Sequence, residues 1–138
     1  MFGPAGHLYV YLIYGLHHCL NVVTGGPERA SAVLLRAAEP VENLPILSEN
    51  RGVTDVRALC RGPGRLAQAL GVDRSLDGID LLTSHELWIE AGTPVPRARL
   101  SVTPRVGISV ATEMPWRWLE TGSRWATSVT PRPAAGRP

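Results

Sequence analysis

The sequence contains no lysine: all 14 of its basic residues are arginine, set against 12 acidic residues for a formal net charge of +2. A GC-rich coding bias accounts for such a choice, but its chemical consequence is independent of the cause. Guanidinium groups suit bidentate phosphate contacts, while no side-chain amine exists for Schiff-base chemistry, which leaves only the N-terminal amine. Phenylalanine occurs once, at Phe2, and cysteine twice, at Cys19 and Cys60. Two cysteines without metal-ligand or redox spacing make neither a disulfide framework nor a zinc site, and both are expected to be reduced. No apolar run approaches the roughly 20 residues a membrane span requires. The stretch "LYVYLIYGL" has no basic region before it and no small-residue cleavage site after it, as a signal peptide would. The expectation is a soluble, cytoplasmic protein with no membrane partner. A Gly-rich phosphate loop, zinc spacing and a nucleophile elbow are also absent.

What is present points to one folded domain. The chain has 138 residues, 44% of them hydrophobic and 19% charged, enough for a single core and too few for two ordinary domains. The final "TPRPAAGRP" has no hydrophobic face, so residues 1–129 are expected to form the domain and 130–138 a disordered tail.

All three tyrosines, Tyr9, Tyr11 and Tyr14, lie within six residues. Leu8 to Tyr14 reads as a buried strand whose alternation puts Tyr9 and Tyr11 on one face and Val10 and Leu12 on the other. Gly15 breaks it, a second strand runs to about Thr24, and "GGPER" makes a turn before a third strand, Ser31 to Ala37, with Arg36 near its end. Short connections predict an antiparallel meander. A weak helix follows from Val41 to about Asn50, then one N-capped by Thr54 and running to Cys60, then a third after "RGPG" with Leu66, Ala69 and Leu70 at helical spacing. "LLTSHELWIEAG" reads as a hairpin or strand pair. Leu100, Val102, Val106 and Ile108 alternate in a strand bent by Pro104, and three of the four tryptophans follow.

Several clusters have two readings. Tyr9 and Tyr11 are either half-buried strand residues or a stacking surface for a nucleobase, with nearby arginines holding phosphates, and Tyr14 beside Gly15 is placed to protrude. "LCRGPGRLAQALG" is either a plain helix-helix turn or a hairpin whose backbone amides approach a phosphate. Arg57, Arg61 and Arg65 are spaced as a basic stripe that Gly62-Pro63-Gly64 interrupts. His17 and His18 are adjacent on a strand and point to opposite faces, so no metal site is expected there.

The blocks "LYVYLIYGLHHCLNVVT", "AVLLRAAEP" and "CRGPGRLAQALGV", followed by "RVGISVATEMPWRW" and "GSRWATS", occur in an order and spacing that resemble the alkyladenine (3-methyladenine) DNA glycosylases, called methylpurine glycosylases in animals. The resemblance runs from Met1 to about Ser128. It implies an α+β fold in a single domain, with a curved, mostly antiparallel sheet flanked by helices, and a monofunctional hydrolase. Such an enzyme acts as a monomer, without metal or organic cofactor, on double-stranded DNA containing damaged purines. By position, Tyr11 matches the aromatic residue packing on the flipped-out base, and Tyr14 the residue wedged into the vacated duplex. Asn21 matches the asparagine that opposes the exocyclic amino group of guanine, and Arg36 the arginine that positions the attacking water and the adjacent phosphate. The general-base glutamate of that family lies in a Glu-Thr-Glu-Ala-Tyr-like segment, which this sequence does not contain; Met1 matches a point inside the family domain. Glu39 and Glu42 lie past Arg36, and nothing in the sequence places either at the water. The alternative implied is a DNA-binding remnant that stacks and wedges without hydrolysing.

Overall fold

The computed structural model describes residues 1–127. Three strands open the chain, β1 (Leu8–Ile13), β2 (His17–Val23) and β3 (Ala32–Leu34), and pair in the order β1-β2-β3, all antiparallel. Helices α1 (Leu44–Arg51), α2 (Val56–Leu59) and α3 (Pro63–Ala69) follow. Two single-turn 3-10 segments, Arg74–Leu76 and Arg97–Arg99, precede a second antiparallel pair, β4 (Leu100–Thr103) and β5 (Arg117–Glu120). The result is an α+β domain with two open antiparallel sheets.

The meander forms because its sequence alternates. Leu8, Val10 and Leu20 turn to one face of the sheet and join Leu47, Leu59, Leu66, Ala67, Ala69, Val72 and Leu81 in a single buried cluster. All three helices contribute to it, α3 packing directly on β2 and on α1. Burial of each large aliphatic side chain here stabilises by about 1.5–3 kcal/mol. Asn50 and Gln68 fasten the two longer helices: Asn50 Nδ2 donates to the Ala69 carbonyl at 2.9 Å and Gln68 Nε2 to the Asn50 carbonyl at 2.9 Å.

β1 is an edge strand, and its open side is covered rather than bare. Leu8 N–H donates to the Ile79 carbonyl and Gly78 N–H to the Leu8 carbonyl, while Val10 N–H donates to the Asp77 carboxylate at 2.7 Å. Covering an edge in this way removes a template for strand addition.

Several sequence expectations are corrected. β1 ends at Ile13 rather than Tyr14, because Tyr14 (φ 54°) and Gly15 (φ 67°) both take positive φ to reverse the chain, with Leu16 N–H closing on the Ile13 carbonyl. β3 stops at Leu34, three residues short, and Arg36 lies beyond the ladder. Asp55, not Thr54, caps α2, its carboxylate accepting from Arg57 N–H at 3.0 Å. α3 starts at Pro63, whose missing N–H would be unpaired in a first turn anyway.

"LLTSHELWIEAG" forms no strand pair. Asp80 accepts from Leu82 N–H and the Thr83 hydroxyl, and the Ser84 hydroxyl accepts from Glu86 N–H, so side chains tie up backbone donors that a ladder would use. After Pro104 no strand continues; β4 pairs instead with β5, from the tryptophan-rich segment. The expected tail, residues 130–138, lies outside the described residues.

Candidate functional site

The face of the meander turned away from the helices carries the chemistry. Antiparallel register sets Tyr9 opposite Asn21 and Tyr11 opposite Cys19, and directly opposed residues share a face. Asn21 also faces Leu34, two residues before Arg36. Sequence alternation therefore collects Tyr9, Tyr11, Cys19 and Asn21 on one surface, and Arg36 reaches it from the end of β3.

Tyr9 and Tyr11 stack along this face, their ring centroids 5.6 Å apart and the planes tilted by 33°. Both are half-buried. Asn21, only 5% exposed, donates from Nδ2 to the Tyr9 carbonyl at 3.1 Å and more weakly to that of Cys19 at 3.5 Å. With both acceptors on the amide nitrogen, the carboxamide oxygen turns the other way.

The electrostatics tie Tyr11 to Arg36. Burial raises the Tyr11 hydroxyl above its ordinary value, assisted by the Cys19 thiol and by Tyr9, while the Arg36 guanidinium acts in the opposite sense. Tyr11 is therefore neutral at physiological pH. Burial also makes the charge of Arg36 less favourable, and a second guanidinium, that of Arg117, adds to this; Cys19 and Tyr11 oppose it. Among the described residues, none of the groups that shift either residue is a carboxylate. Among the described residues the only ion pair joins Arg99 to Glu120 and involves neither.

Tyr14 stands apart from this face, at the tip of the β1–β2 hairpin. It is 81% exposed, and its neighbour Leu16 is 77% exposed. A bulky aromatic residue at positive φ is uncommon, because the left-handed region crowds Cβ against the carbonyl. The hairpin thus holds a large ring outward in a strained conformation that glycine or asparagine would adopt more readily.

The family model described as methylpurine-DNA glycosylase (MPG) matches residues 1–124. The chain belongs to the methylpurine-DNA glycosylase family. Among its relatives are proteins named "Putative 3-methyladenine DNA glycosylase". That of Chlorobaculum parvum is 47% identical over 123 residues, 89% of this chain and 58% of its own length. That of Rubrobacter xylanophilus is 47% identical over 137 residues, 99% of this chain and 70% of the relative. The Burkholderia lata protein is 44% identical over 135 residues, 96% and 65% respectively. The chain thus spans between 58% and 70% of the length of these three relatives.

Within this methylpurine-DNA glycosylase domain, three of the four residues singled out from sequence, Tyr11, Asn21 and Arg36, come together on one face, and Tyr14 projects from the adjoining hairpin tip. Three further residues went unassigned in the sequence reading. Tyr9 both supports the Tyr11 ring and anchors Asn21, and its place two residues before Tyr11 on an alternating strand was the signal for it. Cys19 sits directly opposite Tyr11, two residues before Asn21. Arg117 had no signal in sequence.

No group of three His, Cys, Asp or Glu side chains among the described residues is arranged to hold a metal ion. His17 and His18 instead help line an open cleft of about 400 Å³ against α3, together with Gln68 and Asp73. No helix among the described residues is long and apolar enough to cross a membrane.

Proposed function

We propose that the protein acts in base-excision repair, binding duplex DNA, extruding an alkylated or deaminated purine and serving hydrolysis of its N-glycosidic bond to leave an abasic site. The observation that carries this reading is the stacked Tyr9 and Tyr11 pair beside the Arg36 guanidinium, with a strained, exposed Tyr14 on the adjoining turn. The glycosidic bond of a stacked base is out of reach, and extrusion requires unpairing and unstacking.

Each residue then has a part. Tyr14 fills the gap left in the stack, which keeps the base from falling back. Tyr11, neutral and backed by Tyr9, offers a ring face to the base; a cationic alkylated purine gains further from the π system. Asn21, locked by the Tyr9 carbonyl, opposes the exocyclic amino group of guanine. Arg36 holds the water and the neighbouring phosphate. The chemistry needs no metal or organic cofactor, and the protein works as a monomer.

A second reading has its own support. Among the described residues, none of the groups that shift Tyr11 or Arg36 is a carboxylate, and a general base contributes roughly 10²- to 10⁴-fold in rate. On this reading residues 1–138 bind and wedge lesion DNA without releasing hypoxanthine, a neutral base that leaves poorly. One preparation decides between the two. It is given duplexes with a hypoxanthine or a stable abasic analogue, and both binding and base release are measured. Binding with release supports hydrolysis, binding alone supports the second reading, and equal affinity for undamaged single strands removes both.

A further inference from the structure

Strand β5 is built the wrong way round for packing alone. Its first residue, Arg117, is only 8% exposed, whereas the tryptophans on either side, Trp116 and Trp118, are 58% and 64% exposed. Alternation along the strand would bury both indoles if Arg117 faced outward, and that arrangement removes far more apolar surface from water. The chain instead turns a guanidinium inward, where its Nη2 donates to the Thr127 carbonyl at 2.6 Å, and leaves two of its largest apolar side chains in solvent. Trp118 is the register partner of Val102, itself 43% exposed, so β4 adds to the same open apolar face. Exposed apolar residues scattered singly are ordinary, but a group of them on one sheet face marks a surface that something covers.

The charge of this region selects the partner. Residues 97–127 carry five arginines against two acidic residues, a net of +3, whereas residues 1–96 carry seven arginines against ten acidic residues, a net of −3. The described part of the chain thus keeps its excess of positive charge in the segment that builds the β4–β5 sheet and holds three of the four tryptophans. Of those five arginines only Arg99 is ion-paired among the described residues, with Glu120. Two others lie over indoles, the Arg105 guanidinium 5.4 Å from the Trp116 ring centroid and that of Arg124 4.6 Å from Trp125. An anionic chain with flat apolar groups matches both features, because bases stack on exposed rings while guanidinium groups donate to the phosphates between them. An acidic peptide would meet the charge but brings no row of flat rings to two indoles. Side chains two residues apart on a strand stand about 7 Å apart, against about 3.4 Å per nucleotide along a duplex strand, so Trp116 and Trp118 suit bases drawn apart rather than a paired stack.

We infer that the open face of the β4–β5 sheet, carried by Val102, Trp116 and Trp118 with Arg105 beside them, is a stacking surface for unpaired bases of a single DNA strand, on a different sheet from Tyr11 and Asn21. That the strand is DNA rests on the function proposed above; the stacking surface itself does not.

The test has two arms on the full 138-residue chain. In the first, a short labelled oligothymidylate is titrated and binding is read by anisotropy and by quenching of tryptophan fluorescence. Binding that weakens as salt is raised is expected, and a protein that does not bind the strand overturns the inference. Trp118→Ala should weaken binding about 5- to 150-fold, the loss of one base–aromatic stack, while Trp118→Phe keeps a ring and should lose much less. Trp88→Ala removes a comparably exposed indole outside this sheet and should leave the affinity unchanged. Should Trp118→Ala fail to fold, Trp116→Ala and Trp118→Phe decide by the same readout. Undiminished binding in Trp118→Ala and Trp116→Ala overturns the surface, and so does competition by oligoglutamate as effective as that by unlabelled strand, which would assign the face to an acidic polypeptide. In the second arm, the same proteins are titrated with an undamaged duplex and with one bearing an abasic analogue. Single-strand binding that depends on Trp118, without preference for the lesion duplex, keeps the stacking surface and removes the repair reading. Preference for the lesion duplex without such single-strand binding does the reverse.

Discussion

Asn21 is the cross-strand partner of Tyr9, and its side-chain Nδ2 donates to the Tyr9 carbonyl at 3.1 Å. One bond therefore couples the orientation of a candidate base-contacting amide to the backbone beneath the tyrosine pair. Asn21→Ala leaves that part-buried carbonyl without its side-chain donor, and a loss of about 1 kcal/mol in urea unfolding is expected. Asn21→Ser, introduced in a family member whose base release is measurable, should raise release of undamaged guanine relative to hypoxanthine. An unchanged ratio would count against the steric role.

Tyr14 sets stability against binding. Its φ of 54° disfavours any residue with a Cβ, so Tyr14→Gly should raise the stability of the fold by about 1 kcal/mol. The same change removes the ring, and affinity for a duplex with an abasic analogue should fall more than affinity for single-stranded DNA. Chemical denaturation and paired binding titrations check both halves; equal losses on the two DNAs would remove the wedge.

Asp77 closes the edge of the meander from 67 residues away, its carboxylate accepting from Val10 N–H at 2.7 Å. Val10 is 1% exposed, so Asp77→Ala strands a buried donor and should lower stability by about 1–3 kcal/mol. Asp77→Asn keeps an acceptor and should lose less. Hydrogen exchange at the Val10 amide provides a local readout, with faster exchange expected in the alanine variant alone.

Cys60 gives the fold an alkaline sensitivity. Burial raises its thiol above the ordinary value, against the opposing charge of Arg51. The neutral thiol is thus favoured in the folded state, so its contribution is full below the unfolded thiol's pKa of about 8.5 and is lost as pH rises through the folded value. Tyr11 titrates in the same sense from a higher starting point. The comparison of the unaltered protein with Cys60→Ala isolates the cysteine. Between pH 7 and 10 the urea midpoint should fall more steeply with Cys60 present, and parallel curves would contradict the assignment.

The absence of lysine predicts a monofunctional enzyme. Strand nicking after base release proceeds through an amine that forms a Schiff base with the sugar, and no side chain here supplies one. Borohydride treatment during incubation with lesion DNA should trap no covalent protein-DNA adduct. A trapped adduct would place the chemistry on the N-terminal amine.

The meander was legible in the sequence because its determinants are local. Alternation from Leu8, the break at Gly15 and the turn at "GGPER" are read within a few residues, and the strand period alone put Tyr9 and Tyr11 on one face. The protrusion of Tyr14 followed from its position beside Gly15. The ordered motifs carried the family, and by resemblance to it Tyr11, Asn21 and Arg36 were named as candidate site residues.

The rest turned partly on local side-chain bonds that compete with a hydrophobic pattern and partly on tertiary contacts that no window of sequence contains. Asp55 prevails over Thr54 as the cap of α2, and side-chain bonds from Asp80 and Ser84 dissolve an apparent strand pair. β4 finds its partner 14 to 20 residues on, through a register set by Leu100 opposite Glu120 and Thr103 opposite Arg117. Sequence alternation fixes only that Arg117 and its flanking tryptophans face opposite ways; it is silent on which side is inward. That choice was made in three dimensions, where the Thr127 carbonyl accepts from a guanidinium that hydrophobicity alone would have left in water.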